Sequence, residues 1–188
     1  MSEYFQNLEE APSWQSYVDA LLATRSVTAA GIYDRDGNPW AYSVGFAVQI
    51  AEAGRISQGF ADLEMQRRLA EEHAEEQARQ ATLSLVSGTL DTANPLSVLR
   101  GQADVFAEIK AAARLQDKTR VLARLRLDDG AFCVSSDETD MYFMRCSTGY
   151  ACAACKSCIV IGFHDASVQA GNCRREVELL GDYLRAYD

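Results

Sequence analysis

Short strand-forming runs separated by turns, with a helix at either end of the chain, set the narrowest limit on what this sequence can fold into. Val27 to Tyr33 reads as a strand, Asp34-Arg35-Asp36-Gly37-Asn38-Pro39 as a turn, and Trp40 to Phe46 as the returning strand of a hairpin. Thr119 to Leu127 alternates Val121, Ala123, Leu125 and Leu127 against Arg120, Arg124 and Arg126, which predicts a half-buried strand with a basic outer face. After the turn Asp128-Asp129-Gly130, strands are expected over Ala131 to Ser135 and Met141 to Arg145. Ser157 to His164 is apolar on both sides and reads as a central strand. Consecutive strands joined by short turns imply an antiparallel sheet.

The helices at the two ends carry the more specific signals. Ser13 can cap a helix in which Trp14, Tyr17, Val18, Leu21 and Leu22 share one face. That stripe reads either as core throughout or as core with an aromatic edge left at the surface, since Trp and Tyr have polar edges that suit half-exposure. The other tryptophan, Trp40, falls with Tyr42, Val44 and Phe46 on one strand face; Ala41, Ser43 and Gly45 make a small-residue face that leaves room for close packing. The last helix begins near Gly171-Asn172 and has three sides. Cys173, Val177, Leu180 and Leu184 form a core stripe, Leu179 and Tyr183 lie on one flank, and Arg174, Glu178 and Arg185 on the other.

Between the ends, Phe60 to about Leu90 predicts a charged helix around a narrow stripe of Leu63, Ala70, Ala74, Ala78, Ala81 and Leu85. Such a stripe serves a mostly solvated helix, a partner helix, or a fold-back on the same domain. Asn94 and Pro95 read as a further helix start, followed by a helical stretch through Val105, Phe106, Ile109 and Ala113 that is interrupted near Gly101.

A chain of 188 residues fits one domain with an ordinary core. Acids outnumber bases 27 to 18, a net charge of −9, which argues against nucleic-acid binding because neutralising phosphates needs a basic face. No apolar run is long enough to span a bilayer, and Met1-Ser2-Glu3-Tyr4-Phe5 lacks the order of a secretory signal, so a soluble intracellular protein is expected. The six cysteines are then expected to be thiols. Cys146, Cys152, Cys155 and Cys158 include a Cys-x-x-Cys-x-x-Cys run that can surround zinc or an iron-sulfur cluster. Alternating side chains at a hairpin oppose that, so no metal and no cofactor are expected. No catalytic residue is assigned either: His73 and His164 are the only histidines, and neither a phosphate loop nor a nucleophile elbow is present.

Three blocks together resemble the profilin family: Ser13-Trp14-Gln15-Ser16-Tyr17-Val18-Asp19, Asp36-Gly37-Asn38-Pro39-Trp40-Ala41-Tyr42-Ser43, and Gly171-Asn172-Cys173 running to Leu180-Gly181-Asp182-Tyr183-Leu184. The resemblance covers about residues 13 to 46 and 118 to 188. It implies an α+β fold, a central antiparallel sheet with the N- and C-terminal helices on one face and further helices on the other. On this reading residues 1–12 are an extension, and 13–188 a single domain with a helical insertion within about 47–117.

Profilins bind monomeric actin, promote its nucleotide exchange, and hold proline-rich segments of actin regulators such as formins. The resemblance therefore implies a cytoplasmic, cytoskeleton-associated binding protein and not an enzyme. It assigns Trp14, Tyr17, Trp40, Leu179 and Tyr183 to a poly-proline groove. It assigns Lys118, Arg120, Val121, Arg124, Ala170, Gly171, Arg174 and Arg175 to an actin face. Ser136-Asp137-Glu138-Thr139-Asp140 departs from the family's basic pattern, so phosphoinositide binding is expected to be weak at most. An adaptor of the same fold with little actin binding, and less favourably a cysteine-ligated metal protein, are the competing readings.

Overall fold

The computed structural model describes residues 13–46, 48, 50–88, 126–136 and 139–187; the side chains of residues 50 and 81–88 are not described. The chain divides into two compact units, Met1–Ala61 with Leu122–Asp188, and Asp62–Val121.

The first unit is built on a six-stranded sheet. Its strands are β1 (Ala29–Asp34), β2 (Pro39–Tyr42), β3 (Phe132–Ser136), β4 (Asp140–Arg145), β5 (Thr148–Ala154) and β6 (Cys158–His164), in the order β2-β1-β6-β5-β4-β3. Every neighbouring pair is antiparallel. The expected central strand is β6, held by β1 on one side and β5 on the other; Cys158, Ile159, Val160 and Ile161 are all fully buried.

Helices α1 (Trp14–Ala23) and α3 (Ala170–Tyr187) cover one face of this sheet. Their stripes, Tyr17, Val18 and Leu21 from α1 and Cys173, Val177, Leu180 and Leu184 from α3, join Ala30, Ile32, Ala151, Ala153 and Val160 in one cluster. Neighbours in each strand alternate to the opposite face, where Tyr33, Phe143, Ile159 and Ile161 are buried outside that cluster. Helix α2 (Ile50–Gly88) begins there: the Tyr33 hydroxyl accepts from the Val48 N–H at 3.2 Å. Ala53, Ile56 and Phe60 are buried by its first turns. Glu52 Oε1 accepts from the Asp128 N–H at 2.9 Å and Arg55 pairs with the Asp128 carboxylate, which fastens α2 to the turn before β3. The α+β expectation thus holds, with the terminal helices side by side.

Several element boundaries differ from expectation. Helix α2 starts well before Phe60 because the spacing of Ala53, Ile56 and Phe60 continues the Leu63 stripe backwards through a less charged segment. In the second unit, Leu63 and Ala74 are buried and Ala70 and Ala78 half-buried, as the stripe predicts; Ala81 and Leu85 lie outside the described side chains. The helical stretch from Asn94 to Ala113 and the strand residues 119–125 fall outside the described residues; of that strand, Arg126 is exposed and Leu127 buried. Strand β5 had no separate expectation: Thr-Gly-Tyr-Ala-Cys-Ala-Ala carries few of the branched residues that mark strands.

The second strand is shorter than Trp40 to Phe46. It ends at Tyr42 because Ser43 to Phe46 forms a turn, with Phe46 N–H donating to the Ser43 carbonyl at 3.0 Å and Gly45 at φ +79°. A bulge also breaks its alternation. The register passes from Ile32↔Ala41 to Tyr33↔Pro39 and skips Trp40. Trp40 consequently joins Ala41 on the side covered by α1, so the expected grouping of Trp40 with Tyr42, Val44 and Phe46 is corrected. Shortness, the bulge and Pro39 also blunt β2 as a free sheet edge.

Candidate functional site

Five aromatic rings form a row across the face carrying α1 and α3. Ser13 starts it: its hydroxyl accepts from the Ser16 N–H at 3.3 Å, so Trp14 is the first residue of α1 and stands at the helix end, 37% exposed. The bulge delivers Trp40, 39% exposed, to 4.7 Å from Trp14 between ring centroids. Tyr17, one turn along α1, lies 5.8 Å from Trp14 and 6.0 Å from Tyr183 of α3. Tyr187 then follows Tyr183 at 4.8 Å and is 77% exposed. Interplanar angles of 44° to 54° along the row leave neighbouring rings tilted against one another and not in a parallel stack.

The middle of the row is fixed. Burial, then the neighbouring Tyr183 with its hydrogen bond, pushes the Tyr17 phenol up to about 12, so it stays a neutral donor at physiological pH. Of the residues assigned to the groove, Trp14, Tyr17, Trp40 and Tyr183 are therefore brought together. Leu179, one turn before Tyr183, is half-buried and packs against the core cluster. Sequence reading missed Tyr187; its i, i+4 spacing from Tyr183 is the signal that identifies it.

The residues assigned to the actin face divide. Lys118, Arg120, Val121 and Arg124 lie outside the described residues. Ala170 packs against the core cluster, while Gly171 and Arg175 are exposed at the start of α3. Arg174 is fastened instead. Its guanidinium donates to Glu178 Oε1 at 3.1 Å and to Ser135 Oγ at 3.0 Å, and lies 5.7 Å from the centroid of the Tyr142 ring. This clamp ties α3 to β3 and β4.

Beneath it, Tyr142 Oη and His164 Nε2 are 2.6 Å apart, with His164 only 1% exposed and its Nδ1 3.1 Å from the Asp165 carbonyl. A backbone carbonyl can only accept, so Nδ1 carries the proton there and Nε2 accepts from Tyr142. The pair meets across β5 because position 149 is glycine: a Cβ there would come within 2.8 Å of both partners and 2.6 Å of the Phe143 carbonyl oxygen. His164 is thus a satisfied structural group.

Among the described residues no three His, Cys, Asp or Glu side chains converge as a metal site. Cys152 lies opposite Met141 and Ile161, on the other face from Cys155 and Cys158. Among the same residues no helix is long and apolar enough to cross a membrane.

A family model described as Profilin matches residues 12–75 and 106–188. The chain belongs to the profilin family. It is 49% identical to Profilin-2 of Acanthamoeba castellanii over 51 residues, which cover 27% of this chain and 40% of that relative. It is 26% identical to the profilin of Saccharomyces cerevisiae over 173 residues, covering 92% of this chain and 95% of the yeast protein. Among solved structures, Schizosaccharomyces pombe profilin matches with a TM-score of 0.58 at 20% identity, over 93% of this chain and 98% of that one. Acanthamoeba castellanii profilin IB matches with a TM-score of 0.56 at 23% identity over the same shares. At those identities the structures bear on the fold, which is the profilin α+β fold. The family model passes over residues 76–105, inside the stretch where extra length was expected.

Proposed function

We propose that this chain binds monomeric actin, regulates its polymerisation and nucleotide exchange, and takes proline-rich ligands along the ring row. Family membership supports the actin part in general terms. The observation that carries the proline part is the row Trp40, Trp14, Tyr17, Tyr183, Tyr187. A polyproline II segment is extended before it binds, has no internal hydrogen bonds, and presents flat rings and free carbonyls. The tilted aromatic faces of the row accept the rings, and indole N–H and phenol O–H groups can donate to the carbonyls.

The partners on this reading are monomeric actin and proline-rich proteins of the formin type. Phosphoinositides bind weakly at most, in keeping with a net charge of −9. The protein is then a cytoplasmic, cytoskeleton-associated binding protein and not an enzyme. The actin face is read as Lys118, Arg120, Val121 and Arg124 with the start of α3, where exposed Arg175 supplies steering charge. A helical insertion within about residues 47–117 is read as part of one domain of 13–188, and residues 1–12 as an extension. A second reading, an adaptor that keeps the groove and binds actin weakly, is favoured by the engagement of Arg174 within the chain.

Trp14 and Trp40 are the only tryptophans, so poly-proline titration followed by intrinsic fluorescence reports on the groove directly. A saturable change that Trp14→Ala removes while the fold persists is expected; no change in the folded protein would overturn the groove. Acceleration of nucleotide exchange on monomeric actin is expected too, and its absence beside intact proline binding would select the adaptor.

A further inference from the structure

The cysteine run left unused by the groove and by the actin face is divided by the sheet. Cys152 projects to the face opposite α3, and burial first, then the charge of Cys133, raises its thiol well above the ordinary range. Cys155 and Cys158 behave differently. The β5–β6 register runs through Ala153↔Val160 and Ala154↔Ile159 to reach them, and the Cys155 N–H donates to the Cys158 carbonyl at 2.8 Å. They are the closing pair of the hairpin, and both belong to the cluster under α1 and α3, so both side chains project to one face.

Opposite residues in a hydrogen-bonded antiparallel pair have Cα atoms about 5.5 Å apart, inside the roughly 4.4–6.8 Å range of disulfides. Their Cβ atoms are about 4.5–5.5 Å apart, at or beyond the roughly 3.5–4.5 Å that a relaxed bridge uses. At those spacings a bridge calls for a small adjustment, and a strained bridge is the more readily reduced. The six cysteines are unbridged in this structure.

We propose that Cys155 and Cys158 are a redox-active dithiol that closes reversibly to a disulfide when it meets a low-molecular-weight disulfide such as oxidised glutathione. The thiolate of one cysteine attacks the glutathione disulfide, forming a mixed disulfide and releasing one reduced glutathione. The second thiol then displaces the remaining glutathione. Two protein thiols are oxidised to one S–S bond, the small disulfide is reduced to two thiols, and the two protons leave on those thiols.

Access comes through the hairpin tip. Lys156 and Ser157 are exposed, so local opening of two residues uncovers the sulfurs without dismantling the sheet. Both thiols are nearly fully buried, 2% and 1% exposed, so their reaction is slower than that of exposed Cys146. Closure also has a structural consequence. The Cys155 Sγ–H now donates to the Gly181 carbonyl at 3.7 Å, where α3 comes so close that a Cβ at Gly181 would lie 2.6 Å from the Ala153 Cβ. A bridge removes that hydrogen from the contact with α3.

The test is to incubate the folded full chain with oxidised glutathione, alkylate the remaining thiols, digest with trypsin and map the cysteines by mass. Lys156 separates the pair, so trypsin cuts between them; the bridge holds peptides 146–156 and 157–174 together until reduction, and fragmentation places it at Cys155 and Cys158 and not at Cys146, Cys152 or Cys173. The expected result is this linked pair in most molecules, its loss on adding reduced glutathione, and a stalled mixed disulfide on Cys158 in Cys155→Ser. Glutathione confined to Cys146, with both hairpin thiols still open to alkylation after denaturation, would overturn the proposal. A bridge that forms only in urea would overturn it as well.

Discussion

The Trp40 ring meets the Trp14 ring at 4.7 Å although strict alternation would send it to the far side of the sheet, and the bulge that skips Trp40 in the register is the reason. Because the two rings touch, their contributions to a proline ligand are expected to be coupled. Trp14→Ala and Trp40→Ala should each weaken a fluorescently labelled oligoproline by tenfold or more, about 1.4 kcal/mol, with the double variant falling short of the sum. Tyr187→Ala, at the exposed end of the row, should cost less. Binding anisotropy decides the matter: full affinity in both tryptophan variants would remove the row as the binding surface.

Tyr17 makes an alkaline prediction. Its phenol ionises near 10.0 in an ordinary setting, whereas burial and Tyr183 push it up to about 12 in the folded chain. Below pH 10 it is neutral in both states and its contribution is complete. As pH rises from 10 towards 12 the unfolded chain loses this proton first, so unfolding is favoured and the contribution disappears. Denaturant melts at pH 9 and pH 11 should show a smaller loss for Tyr17→Phe than for the natural chain. Equal losses would mean that the phenol is not held protonated by the fold.

How much of this was legible beforehand depends on what each residue's signal measures. The helical stripes of α1 and α3 were readable because a period near 3.6 is set by the helix itself, and Cys173, Val177, Leu180 and Leu184 are all buried as spaced. Trp40 was misassigned because a bulge resets a period of two, and nothing in Pro39-Trp40-Ala41 announces one. The clamp on Arg174 was equally invisible: spacing along a helix gives a direction, while Ser135 and Tyr142 come from strands whose positions depend on the sheet. Gly149 falls in a stretch that the sequence does not mark as a strand; its reason is the Tyr142–His164 pair that it lets through.

That window predicts a large effect from a small change. Gly149→Ala would drive a methyl group against the Phe143 carbonyl and both members of the buried pair, so a loss of roughly 2–4 kcal/mol is expected. Tyr142→Phe leaves the space intact but removes the donor to His164 Nε2, for a loss of roughly 1–3 kcal/mol. Thermal melts of the two variants should rank in that order; a glycine variant as stable as the parent would show that the strand yields at no cost.

The two arginines at the start of α3 should separate by function. Arg174 is bound to Glu178, Ser135 and the Tyr142 ring, so Arg174→Ala should lower the melting temperature and affect actin through the seating of the helix. Arg175 is exposed at the helix surface, and Arg175→Ala should change stability by no more than about 0.5 kcal/mol. Its effect should fall on the rate of association with actin, greater at low salt than at high salt, because an exposed charge steers an encounter and is screened by ions. Stopped-flow association at two ionic strengths reads this directly. If Arg175→Ala leaves the rate and its salt dependence unchanged while Arg174→Ala changes both in a fully stable protein, the assignments are reversed: Arg174 would leave its clamp to meet actin, and Arg175 would be a solvated charge.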